Sequence, residues 1–254
     1  MIIHCHQKYA HLKAKLETVI NSFETSGKAV TIGARNSIKS FELDGLKLNV
    51  KSFKTPNAFN AFVYKYIRPS KAKRSFEYAS RLIDCGVSTP FPIAYVEESS
   101  TFGLGRSFYI CEHIDTDFEF RELIHKPWFE NRNEILEKFT EFTFKLHENN
   151  INFLDHSPGN TLIVKTENDY QFYLIDLNRM RFETMNFDKR MHNFRRLWLS
   201  KVMIKVMSNK YAELYNKSYA ETHELMLKHS RAFQLKIDKK KLRRSGRKMR
   251  FKTE

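Results

Sequence analysis

Two short stretches of the chain contain the residue types that metal-assisted phosphoryl transfer requires. Asp155 and Asn160 lie five residues apart in the segment FLDHSPGN, and Asp176 follows the apolar pair Leu174-Ile175. One carboxylate can receive the proton of an attacking hydroxyl, while an amide oxygen and a second carboxylate can hold Mg²⁺ against nucleotide phosphates. An Asp-x4-Asn spacing is common by chance, so its meaning depends on the elements that position it.

Hydrophobic periodicity and turn signals predict a strand-rich first half. A helix is predicted over 9–24, and Asp44-Gly45 is a strong hairpin signal because this pair accepts the positive φ angles of a tight turn. The strands are predicted around 30–32, 38–43, 46–53, 93–97 and 106–111, and further helices within 54–70 and over 71–85. We therefore expect a mostly antiparallel sheet with helices packed against it.

The second half is predicted to be mainly helical. Its helices are expected over 134–148 and within 188–235, with two short strands at 161–164 and 172–175. These patterns predict an α+β fold with a hinge near 112–116. The predicted divisions are an N-terminal helix at 1–26, an N-lobe at 27–114, a helical C-lobe at 115–235 and a basic tail at 236–254.

Composition and charge narrow the class of protein. The chain has 254 residues, is 41% hydrophobic, and contains no uninterrupted apolar run of membrane-spanning length and no apolar signal-peptide run at its start. Its three cysteines have no C-x-x-C spacing, so we expect neither a disulfide framework nor a structural zinc site, and we expect a cytoplasmic location. Residues 236–252 contribute +9 of the net charge of +15, which suits an anionic partner, although a solvated terminus is the plainer alternative.

The order of these elements resembles the lipopolysaccharide-core kinase family, which phosphorylates Kdo or heptose. The resemblance spans roughly residues 30–200 and is carried by the following segments: VKSFK at 50–54, KRSFEYA at 73–79, DHSPGN at 155–160 and LIDLNR at 174–179. It implies a protein-kinase-like bilobal fold with an antiparallel-sheet N-lobe and a helical C-lobe. It also implies ATP and Mg²⁺ as cofactors.

The resemblance also implies a role for each candidate residue. Asp155 would orient the attacking hydroxyl and accept its proton, while Asn160 and Asp176 would hold Mg²⁺. Lys51 would contact the α- and β-phosphates, paired with Glu77 on the following helix, and Lys54 is the alternative lysine. The remaining nucleotide-binding candidates are Arg35 after Gly33, and Glu112 and Ile114 at the hinge.

Departures from the protein-kinase pattern bear on the acceptor. Phe153-Leu154 replaces the His-Arg that precedes the catalytic Asp of protein kinases, and no Ala-Pro-Glu follows Asp176. The short C-terminal region favours a small or lipid-linked acceptor over a peptide, namely Kdo-lipid A or a core heptose. Arg179 and Arg181 could bind an anionic sugar or simply form salt bridges.

Two features suit a protein that is peripheral on the inner face of the inner membrane. One is the basic tail, and the other is the aromatic and basic stretch 59–74. The alternative for this stretch is a helix that packs Phe59, Phe62 and Tyr66 into the N-lobe. His147 is expected to be a hydrogen-bonded core residue.

Two further functions remain open at this point. The first keeps the fold and changes the acceptor, giving a protein Ser/Thr kinase or an aminoglycoside kinase. The second is a non-catalytic kinase-like module that binds a partner or nucleic acid through the tail; for the kinase itself, no nucleic-acid partner is expected.

Overall fold

The chain forms two compact units. A computed structural model describes residues 1–32, 36–101 and 103–250, except for the side chains at 31, 32, 65 and 247–250. The first unit consists of Met1–Asp115 and Tyr173–Asn178, and the second of Thr116–Phe172 and Arg179–Glu254. The first unit thus extends a single residue past the N-lobe end predicted at 114. Residues 1–26 belong to the first unit, since they contribute a strand and a helix to its core.

The first unit is built on an antiparallel sheet. In the described residues of the chain, six strands pair in the order β1-β5-β6-β4-β3-β2. They are β1 (Ile2–Cys5), β2 (Lys28–Ile32), β3 (Asn36–Leu43), β4 (Leu46–Phe53), β5 (Pro92–Ser100) and β6 (Gly103–Glu112). The turn between β3 and β4 has φ +50° at Asp44 and +77° at Gly45, which confirms the predicted hairpin.

Among the described residues of this unit, three α-helices accompany the sheet. They are α1 (Lys13–Asn21), α2 (Ala58–Tyr66) and α3 (Lys71–Asp84). α1 buries Leu16 and Ile20 completely in an apolar cluster that also contains Val50 and Ile110 from the sheet. α3 begins after its N-cap residue Ser70, whose hydroxyl oxygen accepts the Lys73 N–H at 3.0 Å.

Helix α2 lies within the predicted range 54–70, and its exposed face decides between the two alternatives for its aromatic residues. It begins after Asn57, whose side-chain oxygen accepts the Asn60 N–H at 3.0 Å, and it ends before Pro69. Phe59, Phe62 and Tyr66 are exposed, so the packing of these rings into the N-lobe is wrong.

The second unit is mainly helical. Its helices are α4 (Phe120–His125), α5 (Arg132–Glu148), α6 (Phe187–Asn193), α7 (Lys201–Tyr215) and α8 (Tyr219–Arg250). Its short strands are β7 (Phe118–Glu119), β8 (Ile151–Phe153), β9 (Thr161–Lys165), β10 (Tyr170–Leu174, whose last two residues belong to the first unit) and β11 (Met180–Phe182). Phe139, Phe194 and Tyr211 are fully buried in one apolar cluster formed mostly by the helices.

The helical region predicted at 188–235 is interrupted twice. Trp198 and Asn216 both have a positive φ, of +57° and +52°, and these left-handed residues end the preceding turns. The last helix then continues through most of the predicted tail to Arg250. Its side chains from 238 to 246 are all exposed. Within the described residues, no helix has the length and apolarity needed to cross a membrane.

Candidate active site

Lys51 lies on the central strand β4 of the first unit, between Ile38 on β3 and Tyr109 on β6. Its Nζ donates a hydrogen bond to Oδ1 of Asp176 at 2.7 Å. The lysine side chain is 14% exposed and the aspartate side chain 35% exposed. The tertiary fold therefore brings together the predicted phosphate-binding lysine and one of the two predicted metal ligands.

Glu77 takes a different place from the one predicted. Its carboxylate lies 3.8 Å from Nζ of Lys73, one turn earlier on α3, and both side chains are well exposed. Among the residues that the structure describes, no ion pair joins Lys51 to Glu77. The prediction of that pair is corrected. Lys51 forms its ion pair with Asp176 instead, and Glu77 pairs with Lys73, which lies four positions earlier on the same helix.

The rival lysine, Lys54, follows the end of β4 and is exposed. It borders a surface cleft of about 490 Å³ in the first unit, beside Asn57 and Tyr64. An exposed lysine that forms no ion pair with the residues the structure describes is less well placed to hold phosphate than Lys51, whose side chain is 14% exposed. We therefore favour Lys51 as the phosphate-binding residue.

The backbone of Asp176 is in an uncommon conformation. Its φ of +59° lies in the left-handed region, which residues other than glycine rarely adopt and which costs on the order of 1 kcal/mol. The preceding residues are fixed, since the Leu174 N–H donates to Ser88 O at 3.1 Å and the Thr89 hydroxyl donates to Leu174 O at 2.7 Å. Nδ2 of Asn178 donates to Oδ1 of Asp176 at 2.7 Å, so the carboxylate is oriented as well.

Asp155 lies in the second unit, between β8 and a short 3₁₀ helix at Pro158–Asn160. Its Oδ1 lies 2.7 Å from Nη2 of Arg196, and its Oδ2 lies 3.5 Å from Nη1 of Arg179. The aspartate side chain is 20% exposed. One arginine thus contacts each carboxylate oxygen, which fixes the direction in which this side chain points.

Arg196 is a site residue that sequence reasoning missed. It belongs to the 3₁₀ helix Phe194–Leu197, and no spacing in the sequence relates it to Asp155. Its guanidinium also lies over the ring of Phe233 on α8, at 5.6 Å from the ring centroid. Arg179 was among the predicted candidates, and the structure shows it paired with Asp155 and 57% exposed. Arg181 is exposed on β11.

A buried hydrogen-bond network supports the loop that carries Asp155. Nδ2 of Asn193 donates to Asn152 Oδ1 and to Phe153 O, both at 3.0 Å. Its Oδ1 therefore accepts from Nδ1 of His156, at 2.8 Å, which places the proton of that imidazole on Nδ1. Burial lowers the pKa of His156 to about 4, so the ring is neutral near pH 7.

The side-chain amide of Asn160 is oriented by the loop that carries Asp155. Its Nδ2 donates to the carbonyl oxygen of Asp155 at 2.8 Å. Because a carbonyl can only accept, the amide nitrogen is the end that faces the loop, and the side-chain oxygen is the end left for a cation. Within the described residues, no group of three or more His, Cys, Asp or Glu side chains could hold a metal ion, so the roles of Asn160 and Asp176 as magnesium ligands stay predictions.

The three remaining nucleotide-binding candidates differ in what surrounds them. The carboxylate of Glu112 accepts a hydrogen bond from the Tyr9 hydroxyl and lies 3.5 Å from Nζ of Lys8. Ile114 follows the end of β6, and no described residue hydrogen-bonds to its amide, which is the group a nucleotide base would need. Arg35 lies outside the described residues. All three assignments stay predictions.

His147 is a core residue, as predicted. It is fully buried, and its Nδ1 lies 2.9 Å from the Tyr211 hydroxyl. Burial lowers its pKa to about 3. This neutral ring therefore contributes to the packing between α5 and α7.

Comparisons with known proteins point to the same family as the sequence segments at 50–54, 73–79, 155–160 and 174–179. The model of the lipopolysaccharide kinase (Kdo/WaaP) family matches residues 10–219. A solved structure described as WaaP in complex with acyl carrier protein superposes with a TM-score of 0.64 and 16% identity, covering 92% of this chain and 98% of that chain.

No curated protein matches the chain. At 16% identity the structural likeness shows the fold alone, and it confirms the predicted α+β, protein-kinase-like architecture. The family match extends over most of the sequence, including every segment on which the resemblance was based. The chain therefore belongs to the lipopolysaccharide kinase (Kdo/WaaP) family.

Proposed function

We propose that this lipopolysaccharide kinase uses Mg²⁺-bound ATP to phosphorylate a hydroxyl of an inner-core sugar, Kdo or heptose, on a lipid-linked acceptor. Membership of the family makes the chain a kinase and implies the use of ATP. The observation that carries the proposal is the ion pair between Lys51 and Asp176, at 2.7 Å. It unites a strand lysine and an acid from distant regions of the sequence, as phosphate and metal binding in this fold requires.

Residues of the first unit would bind the nucleotide phosphates. Lys51 would neutralise phosphate charge, and the oriented carboxylate of Asp176 would contribute an oxygen ligand, as would Asn160 from the second unit. When bound, Mg²⁺ would offset the negative charge that develops on the transferring phosphoryl group. The amide of Ile114 would meet the nucleotide base.

Asp155 would act on the acceptor. Its carboxylate, held by the close contact with Arg196, would orient the attacking hydroxyl and receive its proton as the new oxygen–phosphorus bond forms and the bond from the γ-phosphorus to ADP breaks. Positioning accounts for most of the catalysis in phosphoryl transfer, so a fixed carboxylate matters more than a strongly basic one.

The charge around Asp155 supports an anionic sugar. Arg179 is more than half exposed and has only a loose contact with Asp155, so its guanidinium can still pair with an acceptor. Kdo carries a carboxylate, whereas a heptose has none, and this difference favours Kdo. The basic helix α8 supports a location at an anionic cytoplasmic membrane face, where such acceptors would lie.

The test is transfer of labelled phosphate from ATP. Purified protein is incubated with Mg²⁺ and Kdo-lipid A, with a heptose-containing core, with an aminoglycoside or with a generic protein substrate. We expect label on Kdo-lipid A or on the heptose acceptor, and loss of about 10²–10⁴-fold in turnover for Asp155→Ala and Asp176→Ala. Unchanged turnover in both variants would overturn the site assignment. Label on the aminoglycoside or the protein alone would overturn the acceptor.

A further inference from the structure

Helix α2 carries a patch of large apolar side chains on its surface. Phe59 is 75% exposed, Phe62 52%, Tyr66 65% and the following Ile67 70%. The rings of Phe62 and Tyr66 lie 4.9 Å apart, so two members of the patch contact each other. Exposed apolar residues scattered singly are ordinary, whereas four within nine positions form a candidate interaction surface.

The packing of α2 explains why this face stays outside. Ala61 is 2% exposed and faces Gly103, at the start of β6. A Cβ at Gly103, which has φ +135°, would lie 2.5 Å from Ala61 O, so only glycine allows the helix backbone to approach this strand so closely. At 3.6 residues per turn, Phe59, Phe62 and Tyr66 fall within about 60° of one another, on the side turned away from Ala61.

All the charged residues near this patch in the sequence are basic. Residues 45–76 include eight Lys and Arg and no Asp or Glu. Lys54 and Arg68, which flank α2, are exposed. An aromatic helix face bordered by exposed cations and free of acidic residues has the composition of a segment that lies in the interface of an anionic membrane.

We propose that α2 is an interfacial membrane anchor, whose aromatic face enters the headgroup and acyl boundary of an anionic lipid bilayer. Phe59, Phe62 and Ile67 would bury apolar surface there, and Tyr66 would place its hydroxyl at the headgroup level. Lys54 and Arg68 would contact lipid phosphates. The inference rests on the proposed function, because a kinase that acts on a lipid-linked acceptor must reach that acceptor at the membrane surface.

The small area of α2 and the positive charge around it favour a lipid surface over a protein partner. A nine-residue helix offers too narrow a strip for a stable protein interface, which buries about 800 Å² on each side. Insertion into a bilayer needs no shape complementarity, and each cation close to an anionic surface adds to binding. A face that binds a protein instead of lipid would make the vesicle experiment negative.

The experiment measures binding of the full chain to vesicles by flotation. Vesicles of phosphatidylethanolamine and phosphatidylglycerol are compared with vesicles of phosphatidylcholine. The variant Phe59→Ser/Phe62→Ser is expected to bind anionic vesicles about ten- to a hundredfold more weakly, and Phe59→Leu/Phe62→Leu to bind nearly as the wild type. The matched control is Trp128→Ser, which removes a 98% exposed aromatic residue from the second unit and should leave binding unchanged.

Insertion is tested separately in a Phe62→Trp variant. The indole should shift its emission to the blue and be quenched by bromine-labelled lipid chains when anionic vesicles are added, beyond any change in the wild type. If the serine variant floats as well as the wild type, or if the new indole shows neither effect, the anchor is refuted. A protein partner would give the same two negative results.

Kinase assays distinguish a failure of the membrane anchor from a failure of the proposed function. The serine variant should phosphorylate an acceptor freed of its lipid chains at the wild-type rate, and lose activity only on acceptor embedded in vesicles. A wild-type protein that binds vesicles but phosphorylates no sugar would refute the proposed function and leave the anchor intact. An active wild-type protein that ignores anionic vesicles would refute the anchor alone.

Discussion

Lys51 and Asp176 are 125 positions apart in sequence, yet their side chains make a direct hydrogen bond. This contact distinguishes Lys51 from Lys54, three positions later, which is exposed at the edge of a cleft. A lysine fixed beside the proposed metal ligand is already placed where phosphate charge would arrive under the proposed function, whereas an exposed lysine must be ordered first. The two lysines therefore make a matched pair for mutation.

We predict that Lys51→Met lowers kcat/KM for ATP by about 10²-fold or more, because a preorganised charge at the phosphates is lost. Lys54→Met should change it by less than about threefold. Steady-state kinetics with varied ATP concentration measures both. A larger loss in the Lys54 variant would reverse the assignment of the phosphate-binding lysine.

The two arginines at Asp155 are expected to have different roles. Arg196 contacts the carboxylate at 2.7 Å and is 30% exposed, so it acts as a positioning residue. We predict that Arg196→Gln lowers kcat by about ten- to a hundredfold with little change in KM, since a misdirected carboxylate affects the transition state more than binding. Arg196→Lys should recover some of this loss.

Arg179, which is more exposed and further from Asp155, should act on the acceptor instead. Arg179→Gln is predicted to raise KM for the sugar acceptor by about tenfold, with a smaller effect on kcat, because a charge pair made in both the bound and the transition state is lost. Equal effects of the two substitutions on kcat and KM would contradict this division of roles.

At the scale of elements, two histidines are fully buried in the second unit. His156 lies in the loop that carries Asp155 and His147 lies in α5, and burial lowers their pKa values from 6.5 to about 4 and about 3. In the unfolded chain both rings take up a proton near pH 6.5, while in the folded protein they remain neutral until a much lower pH. Between these values the unfolded state binds more protons, so stability falls as the pH falls.

We predict that the free energy of unfolding decreases as the pH is lowered from about 6.5 to about 5, by up to about 1.4 kcal/mol per pH unit for each of the two histidines. Chemical denaturation at several pH values gives this slope. It should become shallower in His156→Gln and stay unchanged in His11→Gln, which alters an exposed histidine. A stability that is flat across this window would show that the two rings are protonated in the folded state.

At the scale of the whole molecule, the positive charge is concentrated at the C-terminal end of α8. Residues 242–254 contain six Lys and Arg and one Glu, and the side chains described there, up to position 246, are exposed. Such charges contribute little to folding but strengthen association with an anionic surface at low salt.

Removal of residues 242–254 is predicted to weaken binding to anionic vesicles and to reduce its dependence on salt concentration. The thermal midpoint should change by no more than a few degrees, because no buried contact is lost among the residues described there. Vesicle flotation at two ionic strengths and a melting curve test both statements. A large drop in the melting midpoint would instead show that this segment stabilises the fold.

The sequence by itself determined those features that depend on neighbouring residues. The Asp44-Gly45 hairpin, the amphipathic pattern of α5 and the spacing of Asp155 and Asn160 are local, because turn geometry and helix periodicity are set within a few positions. The kinase motifs belong to this class, and they were enough to indicate the family. The short strands β1, β7, β8 and β11 were missed, since strands this brief have too few residues for a periodic signal.

Only the tertiary structure decided which distant groups meet and which faces stay outside. It assigned Asp176 rather than Glu77 to Lys51, placed Arg196 on Asp155, and left the aromatic face of α2 exposed. The physical reason is that a side chain's partner depends on how whole elements pack. An exposed aromatic stripe and a buried one have the same sequence pattern, and they differ only in what lies opposite them.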